Sequence, residues 1–184
     1  ILKSGVRAKF TKNFQINEAW SYDVFSKKIP ITDYEFIRPY INEISQGELS
    51  VLTEGRPKYF SITSGTTSGT KYIPLTKKML FFQIGAIKEL LLLYAYQKNY
   101  YNISTQTGMM FIQGSPKLNY LNRIPFAKLS GITARHVPFF LKKNRYPSMK
   151  TNCIENWSEK IKKIVQETHN KDMRVIGGIP PWVM

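Results

Sequence analysis

Thr63-Ser64-Gly65-Thr66-Thr67-Ser68-Gly69-Thr70-Lys71 is a run of hydroxyls and glycines closed by a lysine. Ahead of it, Tyr59-Phe60-Ser61-Ile62 alternates as a half-buried strand does. Behind it, Ile73-Pro74-Leu75-Thr76 leads into a helical pattern that opens near Lys77, with Thr76 as its cap. Such a loop offers backbone N–H groups and hydroxyls to a polyphosphate, and one mobile ammonium to its charge. Its glycines let the backbone approach an anion with no side chain in the way. The run is not a Walker A motif, which needs four residues between its glycines and then Gly-Lys-Ser/Thr. Here three residues separate Gly65 from Gly69, Thr70 precedes Lys71, and Tyr72 stands where the magnesium-binding hydroxyl belongs. On composition alone the same residues also suit a plain surface turn.

Working outward, Thr32-Asp33-Tyr34-Glu35 has the pattern of a capping box and predicts a helix start. Pro39 falls early in that helix, Gly47 ends it, and Gly55-Arg56-Pro57 makes a turn before the strand. The first thirty residues read as helical, with Phe14, Trp20 and Phe25 available for packing. Downstream, Gly108 to Gly114 is apolar on both faces, as a central parallel strand is. Asn152 is placed to cap a helix whose Ile154, Trp157, Ile161, Ile164 and Val165 share a face. Met173 to Gly178 reads as a third strand. The alternation predicts an α/β fold, a partly parallel sheet flanked by helices. The glycine-rich loop would then lie at the carboxyl end of a strand, where such sheets bind ligands. Residues 1–57 read as a helical lead-in and 58–184 as the strand-loop-helix core of a single domain portion.

The 184 residues carry a net charge of +15, which invites a nucleic-acid or anionic-surface reading. The lysines are spread, however, as Lys27-Lys28, Lys77-Lys78, Lys142-Lys143 and Lys162-Lys163, in different segments. Dispersed pairs suit solvated faces, so no specific nucleic-acid partner is expected. The single Cys153 excludes an internal disulfide, and a reducing cytoplasm is expected. His136 and His169 stand apart and suggest no metal site. The apolar stretch Met79 to Tyr96 carries Lys88 and Glu89 at its centre, which predicts a buried core helix and not a membrane span.

The run Thr63 to Thr76 resembles the phosphate loop of the adenylate-forming superfamily of acyl-coenzyme A synthetases, peptide-synthetase adenylation domains and luciferase. Thr63, Ser64, Gly65, Thr66, Thr67, Lys71 and Thr76 fall in register with that pattern, while Ser68, Gly69 and Thr70 depart from it. With Lys71-Tyr72-Ile73-Pro74-Leu75-Thr76 behind it, the loop is similar to that of the auxin-responsive Gretchen Hagen 3 acyl acid–amido synthetases. Tyr34-Glu35 with Arg38-Pro39-Tyr40-Ile41, then Gly47-Glu48 and Val51-Leu52-Thr53, resembles the segment preceding that loop. Gly177-Gly178-Ile179-Pro180-Pro181-Trp182 resembles a later segment, in the style of bacterial members.

The resemblance implies ATP-dependent activation of a carboxylic acid as its acyl-adenylate, then transfer to an amino acid, with Mg2+ as cofactor. It implies that Thr63, Ser64, Gly65, Thr66, Thr67, Ser68 and Gly69 surround the ATP phosphates, with Lys71 balancing their charge. Ile179 and Trp182, with Phe139 and Phe140, are the acyl-pocket candidates. An acyl-coenzyme A synthetase is the nearest alternative, and a basic binding module without catalysis the alternative from another class. The superfamily's adenine and ribose contacts and its mobile C-terminal domain lie downstream of such a loop. The 184 residues are therefore expected to be an N-terminal fragment of the large domain, inactive alone.

Overall fold

The computed structural model of the chain describes residues 3, 5–65, 69–102 and 107–178, with backbone alone at 64, 65 and 140. The elements are α1 (Lys9–Asn13), α2 (Tyr22–Lys28), α3 (Tyr34–Gln46), β1 (Tyr59–Gly65), β2 (Gly69–Leu75), α4 (Lys77–Gln97), β3 (Gly108–Ile112), β4 (Asn119–Leu121), β5 (Ile124–Lys128), α5 (Leu129–Arg135), α6 (Phe139–Lys142), β6 (Arg145–Tyr146), α7 (Met149–Asn152), α8 (Trp157–Thr168) and β7 (Met173–Gly178). They form two compact units, one of Ile1–Lys77 with Asn119–Phe126, the other of Lys78–Leu118 with Ala127–Met184. The expected mixed α/β class, with a parallel sheet and flanking helices, is what the chain adopts.

In the first unit α3 begins one residue later than the capping box placed it. The Asp33 carboxylate accepts from the Phe36 amide at 3.1 Å, satisfying an orphan donor and complementing the helix dipole. Glu35 turns away from the cap to pair with Arg38 at 2.7 Å. Pro39 lies inside α3 without ending it. Gly47, at φ +109°, closes the helix by donating to the Glu43 and Ile44 carbonyls, a left-handed conformation that favours glycine. Ile41 and Ile44 then face Val51, Phe60 and Ile124 in a core whose members are at most 3% exposed. Burial of each such side chain contributes about 1.5–3 kcal/mol.

The sheet of this unit runs β2-β1-β5-β4. Here the structure differs from the expected strand-loop-helix order. β1 and β2 pair antiparallel from Tyr59↔Leu75 to Gly65↔Gly69, so the glycine-rich stretch is the tip of a β-hairpin. The Ile73-Pro74-Leu75 segment, read as a lead-in to the helix, is the return strand. Pro74 is accommodated because β2 stands at the end of the sheet order, where a missing donor costs no ladder bond on the outer side.

The second unit holds the parallel strands in the order β6-β3-β7, with Met109↔Arg145 and Met110↔Ile176 in register. The central position of β3 explains its apolar character on both faces: Met109 and Ile112 are buried. Asn152 does not cap the last helix; it ends α7, which is capped by Ser148. The cap of α8 is Asn156, whose side chain accepts from the Glu159 amide at 3.0 Å. On α8 the buried residues are Ile164 and Lys160, while Trp157, Ile161 and Val165 are exposed. Lys160 reaches inward because its ammonium donates to the Asn152 carbonyl at 3.0 Å, and burial pushes its pKa down.

Glu167 joins α8 to α7. Its carboxylate accepts from the Ser148 amide, the Ser148 hydroxyl and the Thr151 hydroxyl at 2.6–2.8 Å. Burial acts to raise its pKa, but the bonds from Thr151 and Ser148 outweigh burial and hold it below the usual value. A depressed carboxyl stabilises the fold fully above its unfolded value of about 4.3 and less as pH falls through the lower folded value. Glu167→Gln is therefore expected to lower the urea midpoint at neutral pH and to flatten its fall towards about pH 3. An acid limb of unchanged steepness in the variant would contradict this role.

The expectation of a buried core helix for Met79 to Tyr96 is not met. Among the described residues α4 buries only Leu80 and Ala95, while Phe81, Phe82, Leu90 and Tyr96 are more than 60% exposed. Its apolar residues surround the helix on every side, with no single stripe for one neighbour to cover. By length and composition α4 is also apolar enough to cross a membrane.

Candidate functional site

The alternation expected of β1 is not kept: Phe60 is fully buried between buried Tyr59 and Ser61, because β1 lies inside the sheet and not at its edge. Tyr59 and Ser61 are buried, Ile62 is half-buried, and exposure begins at Thr63 towards the tip. Of the expected phosphate contacts, Thr63, Ser64 and Gly65 lie at the end of β1, and Gly69 and Lys71 lie on β2. Thr66, Thr67 and Ser68 lie outside the described residues. Gly69 adopts φ +77°, and a Cβ there would meet nothing within 4 Å, so the backbone is open on that side. A peptide unit in that conformation presents its N–H groups to an anion without steric cover.

Lys71 is placed by its neighbours. Its ammonium lies 5.3 Å from the centre of the Tyr34 ring, and it forms no ion pair among the described residues. The guanidinium of Arg38 lies 5.6 Å from the same ring. The Tyr34 hydroxyl accepts from the Tyr72 amide at 2.9 Å, which satisfies an N–H that β2 turns away from β1. Tyr34 thus fixes the free edge of β2 and carries two cations on its ring. A cavity of about 240 Å3 lies here, lined among others by Tyr34, Arg38, Asn42, Thr70 and Tyr72. Tyr34 and Arg38 were legible only as part of the segment preceding the loop; a ring placed one helix away leaves no local signal.

Within the second unit a small apolar pocket, about 60 Å3, is lined by Ile84, Ile87 and Leu91 of α4, Met109 and Phe111 of β3, and Leu141 of α6. Lys88, Gln113, Thr133, His136 and Arg145 supply its polar groups. This is the composition of a small-ligand site, apolar walls with a few polar anchors. Sequence inspection missed it, because its walls come from four separate stretches. Of the expected acyl-pocket residues, Phe139 is 84% exposed and does not line it. The Phe140 side chain, Ile179 and Trp182 lie outside the described residues. Among the described residues no group of three or more His, Cys, Asp or Glu side chains is placed to hold a metal ion.

The GH3 family N-terminal domain matches residues 1–155. The chain is 28% identical over 120 residues to jasmonoyl–L-amino acid synthetase GH3.5 of Oryza sativa subsp. japonica, covering 64% of this chain and 20% of that protein. It is 38% identical over 82 residues to indole-3-acetic acid-amido synthetase GH3.15 of Arabidopsis thaliana, covering 44% of this chain and 14% of that one. The chain thus spans about a fifth or less of the length of these two relatives. A solved structure of GH3.15 acyl acid amido synthetase superposes with a TM-score of 0.70 over 96% of this chain and 31% of that chain, at 19% identity, which speaks to the fold. A second, of AtGH3.15 in complex with 2,4-DB, gives 0.67 over 86% of this chain and 28% of that one at 21% identity.

Proposed function

Because the chain belongs to the GH3 family, we propose that it forms the nucleotide-gripping part of a ligase that joins a carboxylic acid to an amino acid at the expense of ATP. The observation that carries this is the hairpin end, an open backbone at Gly69 beside an ammonium, Lys71, with no counter-charge among the described residues. Its relatives are named for the same reaction class, as amido and L-amino acid synthetases.

In the first step a carboxylate oxygen attacks the α-phosphorus of ATP, and the bond to the bridging oxygen of the β-phosphate breaks to release pyrophosphate. In the second an amine attacks the acyl carbon, AMP leaves, and the amine nitrogen loses a proton. The chain's part is electrostatic. Thr63, Ser64, Gly65, Thr66, Thr67, Ser68 and Gly69 would bind the β- and γ-phosphates, and Lys71 would balance charge building on the leaving group. Tyr34 would hold the strand that carries Lys71, so the ammonium need not be reorganised as charge develops. No described carboxylate cluster fits Mg2+, so no step is assigned to it.

The apolar pocket lined by Met109, Phe111 and Leu141 suits the tail of a small carboxylic acid. Ile179 and Trp182 remain proposed acyl contacts on the resemblance alone. The free, exposed Cys153 suits a reducing cytoplasm.

The test is ATP–pyrophosphate exchange over a panel of aryl and alkyl carboxylic acids, using a chain extended to the length of its relatives. Acid-dependent exchange, with amide formed when an amino acid is added, is expected. Absence of exchange with every acid would overturn the reading; exchange followed by thioester formation with coenzyme A instead would correct the acceptor.

A further inference from the structure

The second unit holds a basic cavity that shares no residue with the hairpin. Its volume is about 400 Å3. Four cationic side chains line it: Arg135 at the end of α5, Lys142 and Lys143 at the end of α6, and Arg145 on β6. Among the described residues a single carboxylate, Glu167, shares the lining, and its oxygens are already engaged by Ser148 and Thr151. None of the four cations forms an ion pair among the described residues. Arg135 gives an N–H to the Pro116 carbonyl at 3.1 Å, and Arg145 gives its terminal N–H groups to the Ala134 carbonyl and the Gln113 side chain. The Nε of Arg145 is buried and has no hydrogen-bond partner among the described residues. Burial pushes the Arg145 guanidinium pKa down, with no opposite charge to offset it.

A buried donor on a charged group is costly unless something accepts from it. We propose that this cavity is a binding site for a small phosphate-bearing molecule, which the two arginines and two lysines would surround. A phosphate ester or pyrophosphate group fits the charge better than a lone carboxylate, because it brings two or more negative charges to four cations. Its tetrahedral oxygens also match guanidinium forks and mobile ammonium groups together. The cations converge on a concavity walled by Tyr146, Pro147 and Met149. A nucleic-acid backbone would call instead for a stripe of charge along an exposed face. Concave basic walls concentrate the field on a small anion.

Inorganic pyrophosphate is the probe. The 15N-labelled chain is titrated at about 0.15 M salt, where screening confines charge effects to about 8 Å. Saturable shifts are expected at the amides of Arg135, Lys142, Lys143 and Ser148, with no saturable response to acetate. Lys142→Gln with Lys143→Gln should weaken this binding at least about tenfold, through loss of two charge-assisted contacts. Lys71→Ala should leave these shifts unchanged, which separates this site from the hairpin. Both cavity lysines are exposed, so their replacement leaves packing intact. The proposal fails if these amides respond only in proportion to ionic strength, if the double variant binds as tightly as the parent, or if an oligonucleotide displaces pyrophosphate at lower concentration.

Discussion

Lys71→Ala is expected to lower acid-dependent ATP–pyrophosphate exchange about a hundredfold, the cost of removing one preorganised charge-stabilising group from a transition state. The change should be almost silent in stability. Lys71 is only half-buried and pairs with no carboxylate among the described residues, so its loss strands no partner. Lys71→Arg should recover part of the rate, since charge is kept while the shape of the donor changes. The measurement is exchange by the chain extended to the length of its relatives, alongside a urea midpoint for each variant. A variant lacking the ammonium that retains a third or more of the exchange rate would remove Lys71 from the reaction.

Gly131→Ala is expected to be the most destabilising single methyl in the described residues. A Cβ at Gly131 would stand 2.2 Å from the Ser115 carbonyl oxygen and 2.9 Å from its carbon, so backbone must move to admit it. Overpacking of this kind costs about 3 kcal/mol, set against about 1 kcal/mol gained from the better helix former. Gly85→Ala is the control: it lies inside α4, and its added Cβ meets nothing within 4 Å. There the gain in helix propensity acts alone, about 1 kcal/mol of added stability. Urea unfolding of the two variants should thus shift in opposite directions. Equal midpoints would mean that α5 and the Ser115 turn are not in contact in solution.

The class of fold could be read from local pattern because its determinants are local. Gly108 to Ile112 and Met173 to Gly178 declare themselves by apolar runs bounded by turns, and they pair in the parallel sheet. The capping box at Thr32 marks the start of α3 within a residue and Gly47 its end, since capping is settled by one or two hydrogen bonds nearby, and α4 begins directly after Thr76. The hairpin was missed for a related reason. A proline in Ile73-Pro74-Leu75 argues against a strand unless the strand stands at an edge, and edge position is a property of the assembled sheet. Asn152 and Asn156 are equivalent on paper; which one caps α8 depends on Ser148 having already claimed the preceding turn for α7. The hydroxyl–glycine stretch and Lys71 stood out by composition. Tyr34, Arg38 and the two cavities of the second unit did not, because each is assembled from distant positions that only packing brings together.

The outward-facing rings and aliphatic chains of α4 carry a consequence for handling the protein. Phe81, Phe82, Leu90, Leu92, Leu93 and Tyr96 give the isolated 184 residues a greasy ridge, and water drives such ridges together. Dispersal of this polypeptide will depend on its dilution, and scattering will grow with concentration despite the strong positive charge that keeps molecules apart.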